Sequence, residues 1–235
     1  MNGQAVEQRP CESMVEKKAP HVSQPALAFE GLVKRYGDAC VLDNVSAVFE
    51  SGQIHGLMGR NGSGKTVLLK CLCGLTRPNS GRITIRGREA QPSQKLPAGI
   101  GVIIETPGFI SHYSGMRNLA YLACLQDRVD KQALRHAMAD VGLDPDSRKS
   151  VGKYSLGMRQ RLGIAQAFME GQDILLLDEP MNGLDKQGLA DMRALFLALK
   201  EEGRTIVLAS HSSEDITALC DTVHELDRGK MTRVR

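Results

Sequence analysis

The chain contains no apolar run that approaches the roughly 18 residues of a membrane-spanning helix. It is not itself expected to cross a bilayer. Neither sign of charge dominates. Thirty Lys and Arg stand against 27 Asp and Glu, a net charge of +3, so composition gives no case for a nucleic-acid-binding surface. The start, Met1-Asn2-Gly3-Gln4, lacks a charged region followed by an apolar stretch, so no secretory signal is expected. The six cysteines (11, 40, 71, 73, 124 and 220) form no Cys-x-x-Cys pair. Metal or redox chemistry is the functional reading of such residues. Small buried hydrophobes in a reducing cytosol is the plainer one, and the one adopted.

What remains is an ordinary globular composition, with 42% hydrophobic and 24% charged residues. A length of 235 residues suits one or two domains with a sizeable core. Residues 1–25 are polar, hold Pro10, Pro20 and Pro25, show no periodicity, and are expected to form a flexible arm. From there to residue 235 strands and helices alternate. Strands are expected at Leu27–Val33, Val41–Phe49, Gln53–Met58, Arg82–Arg86, Gly99–Ile104, Asp173–Leu177 and Thr205–Ala209, with a terminal hairpin over 222–234. Helices are expected at Val67–Cys73, Gly115–Leu125, Lys131–Val141, Leu156–Met169 and Lys186–Glu201. Ser114, Asp130, Ser155 and Asp185 would cap the last four. The alternation argues an α/β fold with a mainly parallel sheet, and residues from about 106 to 165 would form an inserted helical lobe.

Gly59-Arg60-Asn61-Gly62-Ser63-Gly64-Lys65-Thr66 completes the pattern G-x-x-x-x-G-K-[ST]. The glycines let the backbone turn tightly and approach phosphates without a Cβ in the way. Successive N–H groups, and the N-terminal end of the helix that continues through Val67, would surround the phosphates. Lys65 would reach the β- and γ-phosphates and Thr66 would ligate Mg²⁺. A chance glycine-rich turn is the competing reading. The flanks decide against it, because a short apolar strand precedes the loop and a helical pattern follows. Further on, Asp173-Ile174-Leu175-Leu176-Leu177-Asp178-Glu179 is an apolar strand that ends in two carboxylates. Ligands bind at the carboxyl ends of such strands. Asp178 would hold Mg²⁺, and Glu179 would polarise a water for attack on the γ-phosphate.

Tyr154-Ser155-Leu156-Gly157-Met158-Arg159-Gln160-Arg161 lies before that strand, with 178 − 155 = 23 residues from Ser155 to Asp178. Here the chain resembles the nucleotide-binding subunits of ATP-binding-cassette transporters, whose signature segment is usually Leu-Ser-Gly-Gly-Gln. Ser155 and Gly157 match it. Leu156 and Met158 depart from it. Read alone, Ser155 is a helix cap. The resemblance implies that it touches the γ-phosphate held by a second copy, across a head-to-tail dimer. His211 follows a strand and resembles the family's switch histidine. Asn182-Gly183-Leu184-Asp185 resembles the loop that couples the two sites. Tyr36 resembles the aromatic that stacks on adenine, although an isolated Tyr is more often packing. Glu105 stands where the family has a Gln that ligates Mg²⁺ and senses the membrane partner. A carboxylate is still a good ligand for a hard cation, but it adds negative charge near phosphates. The runs Ile103–Phe109 and Tyr154–Gln160 resemble the branch that exports bacitracin-like and lantibiotic peptides.

The resemblance implies a phosphate-loop NTPase core with a mainly parallel sheet, an antiparallel β subdomain and a helical signature subdomain, spanning 26–235. It implies ATP and Mg²⁺ as ligands, ATP hydrolysis, and a separate transmembrane permease whose coupling helix would meet a groove near Glu105 to Tyr113. The subunit would be cytoplasmic and peripheral on the inner face of the membrane, with no nucleic acid partner. The alternative is a soluble ATPase of the same fold acting on nucleic acid or ribosomes. Such relatives usually carry two cassettes, long coiled-coil insertions or zinc sites, and none is present here. A nucleotide-gated module without turnover is the third reading, and Glu179 argues against it.

Overall fold

The computed structural model describes residues 24–90, 96–125 and 129–235. Almost all of the expected arm, and Cys11 with it, lies outside the described residues. Two sheets organise the rest. The first is antiparallel, with strand order β2-β1-β4-β5. It comprises β1 (Leu27–Tyr36), β2 (Ala39–Phe49), β4 (Ser80–Ile85) and β5 (Arg88–Glu89). The second has strand order β10-β9-β3-β8-β7-β6. Its strands are β3 (Ile54–Met58), β6 (Ile100–Ile103), β7 (Ile174–Asp178), β8 (Thr205–Ala209), β9 (Thr222–Asp227) and β10 (Lys230–Arg233). All its pairings are parallel except the β9–β10 hairpin.

The apolar runs are continuous because both faces of the parallel sheet are covered. Side chains along a strand alternate between faces. Leu175 and Leu177 of β7, with Ile206 and Leu208 of β8, therefore join the core shared with the helical lobe. Ile174, Leu176, Val207 and Ala209 face the other way. There they pack with α1 (Lys65–Leu72) and with Phe29, Leu42 and Phe49 of the antiparallel sheet.

Between β6 and β7 run α2 (Gly115–Cys124), α3 (Lys131–Asp140), a 3-10 turn (Val151–Lys153) and α4 (Leu156–Phe168). α4 continues past residue 165 and lies directly on β6. A Cβ at Gly101 would overlap the Ala167 carbonyl oxygen, so this strand position requires glycine. All four expected caps form. Ser114 accepts from Arg117 N at 3.3 Å, Asp130 from Gln132 N at 2.9 Å, Ser155 from Met158 N at 3.2 Å and Asp185, before α5 (Lys186–Glu201), from Gly188 N at 2.8 Å. Three elements lie outside the sequence expectation, the 3-10 turn, the short strand β5 and α6 (Ser213–Leu219). Ser212 caps α6 through Asp215 N at 3.3 Å. The signal for it was present, since Ser212 to Asp215 is a Ser-x-x-Asp capping pattern. Cys71, Cys73 and Cys220 are buried thiols, as expected. Burial pushes the last up to about 12, which keeps it an unreactive thiol. Cys124 corrects the expectation by being exposed. Among the described residues, no helix is long and apolar enough to cross a membrane.

Candidate active site

Strand order converges the chemistry. β8 lies between β3 and β7. The carboxyl ends of these three strands carry, side by side, the loop at Gly59, the segment Ser210-His211 and the pair Asp178-Glu179. Ligands of open parallel sheets sit at such an edge. The loop over 59–66 leaves β3 with Gly59, Gly62 and Gly64 at φ values of 155°, 82° and 108°. A Cβ at Gly59 would overlap the Leu226 carbonyl, and one at Gly64 would come within 2.9 Å of the Val41 carbonyl. The turn is thus held between β9 and β2 in a conformation that only glycine takes without strain.

A cleft of about 220 Å³ follows. Asn61, Gly62, Ser63, Gly64, Lys65, Thr66 and Val67 line it together with Asp178 and Glu179. Gly59 lines a second cleft on the other side of the loop, towards Glu225–Arg228. Lys65 is only 5% exposed. Its Nζ donates to the Gly59 carbonyl at 2.7 Å and lies 4.0 Å from Glu179 Oε1. Thr66 Oγ1 donates to Asp178 Oδ2 at 2.6 Å.

Glu179 is in the left-handed region at φ 48°, a conformation that costs a non-glycine residue about 1–2 kcal/mol. Two backbone contacts fix it. Its N–H donates to the Ala209 carbonyl at 2.9 Å, and its carbonyl accepts from Gln160 Nε2 at 3.4 Å. The result aims the carboxyl group across the sheet edge, where Oε2 meets His211 Nδ1 at 2.8 Å. Among the described residues, Ser63 Oγ and Glu179 Oε1 are buried without a hydrogen-bond partner. Orphaned polar atoms of this kind call for a polar ligand. They fit a phosphate with its water. The adjoining Thr66 hydroxyl and Asp178 carboxylate fit Mg²⁺, which takes one or two carboxylates and completes its shell with phosphate and water oxygens.

The remaining expected residues lie elsewhere. Tyr36 stands at the β1–β2 turn, half exposed, with Lys34 Nζ 4.8 Å above its ring. Ser155 and Gly157 open α4 and do not line either cleft at the phosphate loop. Leu156, 59% exposed, folds over Gly183, and a Cβ at Gly157 would lie 3.2 Å from the Gly183 carbonyl. The start of α4 therefore rests on the loop Asn182–Asp185. Glu105, at φ 61°, is bound by Lys70, whose Nζ donates to Oε1 at 2.6 Å. That contact holds the Lys70 ammonium above its ordinary pKa.

Lys70, Gln160 and Asn118 escaped the sequence reading. Asn118 is buried, accepts from Ile110 N at 2.8 Å and donates to the Ile110 carbonyl at 3.1 Å, fastening the loop after Glu105 to α2. No spacing rule marks such contacts, because each joins segments whose proximity the fold creates.

Comparison with known proteins identifies the family. The family profile described as "ABC transporter" matches residues 42–182. An uncharacterised ABC transporter ATP-binding protein of Bacillus subtilis, YybJ, is 42% identical over 85% of this chain and 92% of its own length. The bacitracin transport ATP-binding protein BcrA of Enterococcus faecalis is 39% identical over 86% of this chain, which spans 66% of that longer relative. The lantibiotic transport ATP-binding protein SrtF of Streptococcus pyogenes is 35% identical over 87% of this chain and 88% of its own. The fold matches a nucleotide-free ATP-binding cassette from an ABC transporter with a TM-score of 0.79 at 22% identity, covering 90% of this chain and 91% of that one. The chain belongs to the ABC transporter family and is an ATP-binding, ATP-hydrolysing subunit of the phosphate-loop class.

Proposed function

We propose that residues 26–235 form one nucleotide-binding cassette that powers export of a peptide antibiotic, of the bacitracin or lantibiotic kind, through a separate membrane permease. The names of BcrA and SrtF support the substrate class. The cassette would sit on the cytoplasmic face of the membrane, with the permease meeting the groove near Glu105 to Tyr113. One observation carries the hydrolytic part, the convergence of Lys65, Thr66, Asp178, Glu179 and His211 at one sheet edge.

In this reading the backbone N–H groups of 61–66 and Lys65 Nζ bind the phosphates. Lys65 exchanges its contact with the Gly59 carbonyl for phosphate oxygens. Thr66 and Asp178 hold Mg²⁺, and Glu105 reaches it from the neighbouring strand. When bound, the ion neutralises charge that develops on the transferring phosphoryl group. Tyr36 stacks on the adenine. Glu179 accepts the proton of the attacking water, and His211 fixes the orientation of its carboxylate. The water oxygen bonds to the γ-phosphorus as the bond to the bridging oxygen breaks, giving ADP and phosphate. Ser155 and Gly157 lie away from the phosphate loop of their own chain. They serve a second cassette, in a head-to-tail dimer that closes over ATP.

The test is Glu179→Gln. It removes the proton acceptor while keeping the shape. ATP hydrolysis should fall by at least about 100-fold, the usual contribution of a general base, whereas ATP should still drive dimerisation on gel filtration. Hydrolysis at the parent rate would refute the assignment.

A further inference from the structure

Thr66 and Lys70 are four residues apart on α1, so they share one face about one turn apart, about 6 Å along the axis. Thr66 meets Asp178, and Lys70 meets Glu105. Ile103 of β6 pairs with Leu177 of β7, one residue before Asp178. Glu105 therefore leaves the sheet at the level of the Asp178 and Glu179 carboxylates, yet its charge is held one turn away from Thr66. A third carboxylate at a phosphate site repels the nucleotide unless a cation compensates it. The Lys70–Glu105 pair is well exposed on the carboxylate side, with side-chain exposures of 29% and 65%, and such pairs contribute little to fold stability. Its consequence lies in where it keeps the Glu105 charge.

We propose that Lys70 is a positioning residue for Glu105, a latch that holds this carboxylate off the Thr66–Asp178 position and yields it when a metal–nucleotide complex competes for it. The inference rests on the reading that Glu105 meets the metal. Without the metal, the latch shields ATP from Glu105. With it, the latch must be broken, so Mg²⁺ gains less from Glu105 than a free carboxylate would give. Lys70 thereby sets how strongly nucleotide binding depends on Mg²⁺.

The readout is affinity rather than turnover. The full chain is titrated with a fluorescent ATP analogue in Mg²⁺ and in EDTA, and the ratio of the two Kd values (EDTA over Mg²⁺) is compared among variants. Lys70→Met should raise this ratio about fivefold, the upper scale of one charge interaction at such an exposed pair. Lys70→Arg, which can keep the pair, should restore it. In a Glu105→Gln background, the Lys70→Met change should shift the ratio no more than about threefold, the residue of direct attraction between Lys70 and phosphates. Equal shifts in the two backgrounds, or no shift with Glu105 present, would overturn the latch. Glu105→Gln alone should lower the ratio. If it leaves the ratio at the parent value, Glu105 does not meet the metal, and the underlying reading fails before the latch does.

Discussion

Acid should destabilise this protein through one buried ring. His224 of β9 is 5% exposed, and its Nδ1 has no hydrogen-bond partner among the described residues. It stands edge-on to Phe49, centroids 5.3 Å apart, and Phe49 stacks on His55 at 4.7 Å. Burial, then the neighbouring His55 and Arg233, hold the His224 pKa down to about 4, against 6.5 for the free side chain. The folded-state value is depressed, so between these two pH values the unfolded chain takes up a proton that the folded chain refuses. Stability is therefore complete above about pH 6.5 and is lost as pH falls towards 4. The full gap of roughly 2.5 units corresponds to about 3 kcal/mol, of which about 2 kcal/mol is gone by pH 5. That is a large share of a typical domain stability of roughly 5–15 kcal/mol. Urea unfolding at pH 7.5, 6 and 5 measures it, with His224→Phe as the control that cannot titrate. Carboxylates titrate alike in both proteins, so their contribution cancels in the difference. The parent should lose about 2 kcal/mol more than the variant between pH 7.5 and 5. A constant difference across that range would refute the assignment to His224. His55 is shifted in the same direction by its burial, and in His224→Phe it should leave a smaller residual slope.

Other perturbations separate binding, packing and alignment. Lys65→Ala removes the buried ammonium at the loop, and nucleotide affinity in an analogue titration should fall at least about tenfold, with unchanged affinity refuting the phosphate-loop reading. Gly101→Ala drives a methyl group into the Ala167 carbonyl, a backbone clash between β6 and α4, and should cost more than about 3 kcal/mol or prevent folding, read from urea unfolding or soluble yield. Arg193→Ala leaves Asp215, 5% exposed, without the guanidinium that donates to it at 2.6 Å, and should cost about 3 kcal/mol in the same unfolding assay. That pair docks α6 on α5 directly after His211, so the hydrolysis rate should fall with it.

Local chemistry was the legible part of this chain. A cap depends on about four residues in a row, a phosphate loop on eight, and a buried strand on an unbroken apolar run. Ser114, Asp130, Ser155 and Asp185 all cap as expected because nothing outside their own turn decides the outcome. The parallel core was legible for a related reason. A run such as Ile174–Leu177 can be apolar on both faces only where both faces are covered. β5 and α6 were missed because they are short, and tertiary contacts rather than periodicity stabilise them. The Arg193–Asp215 pair supplies that contact for α6.

The departures from the family pattern were visible in the sequence, but their consequences were not. Glu105 reads as a charge placed where a neutral ligand is usual, and its compensation by Lys70 lies 35 positions earlier, on an element that only the order of β3, β7 and β6 brings alongside. Leu156 reads as a lost glycine, a gap in a nucleotide contact. In the fold its side chain covers Gly183, which is at φ 78° and presents no Cβ of its own. The bulky residue and the bare one thus form a matched pair. A Cβ at Gly183 would lie 2.5 Å from Leu156 Cδ2, so a side chain at Gly183 would have to displace Leu156 as well as adopt a left-handed backbone. That contact seats the start of α4 on the loop that leads from Glu179 into α5.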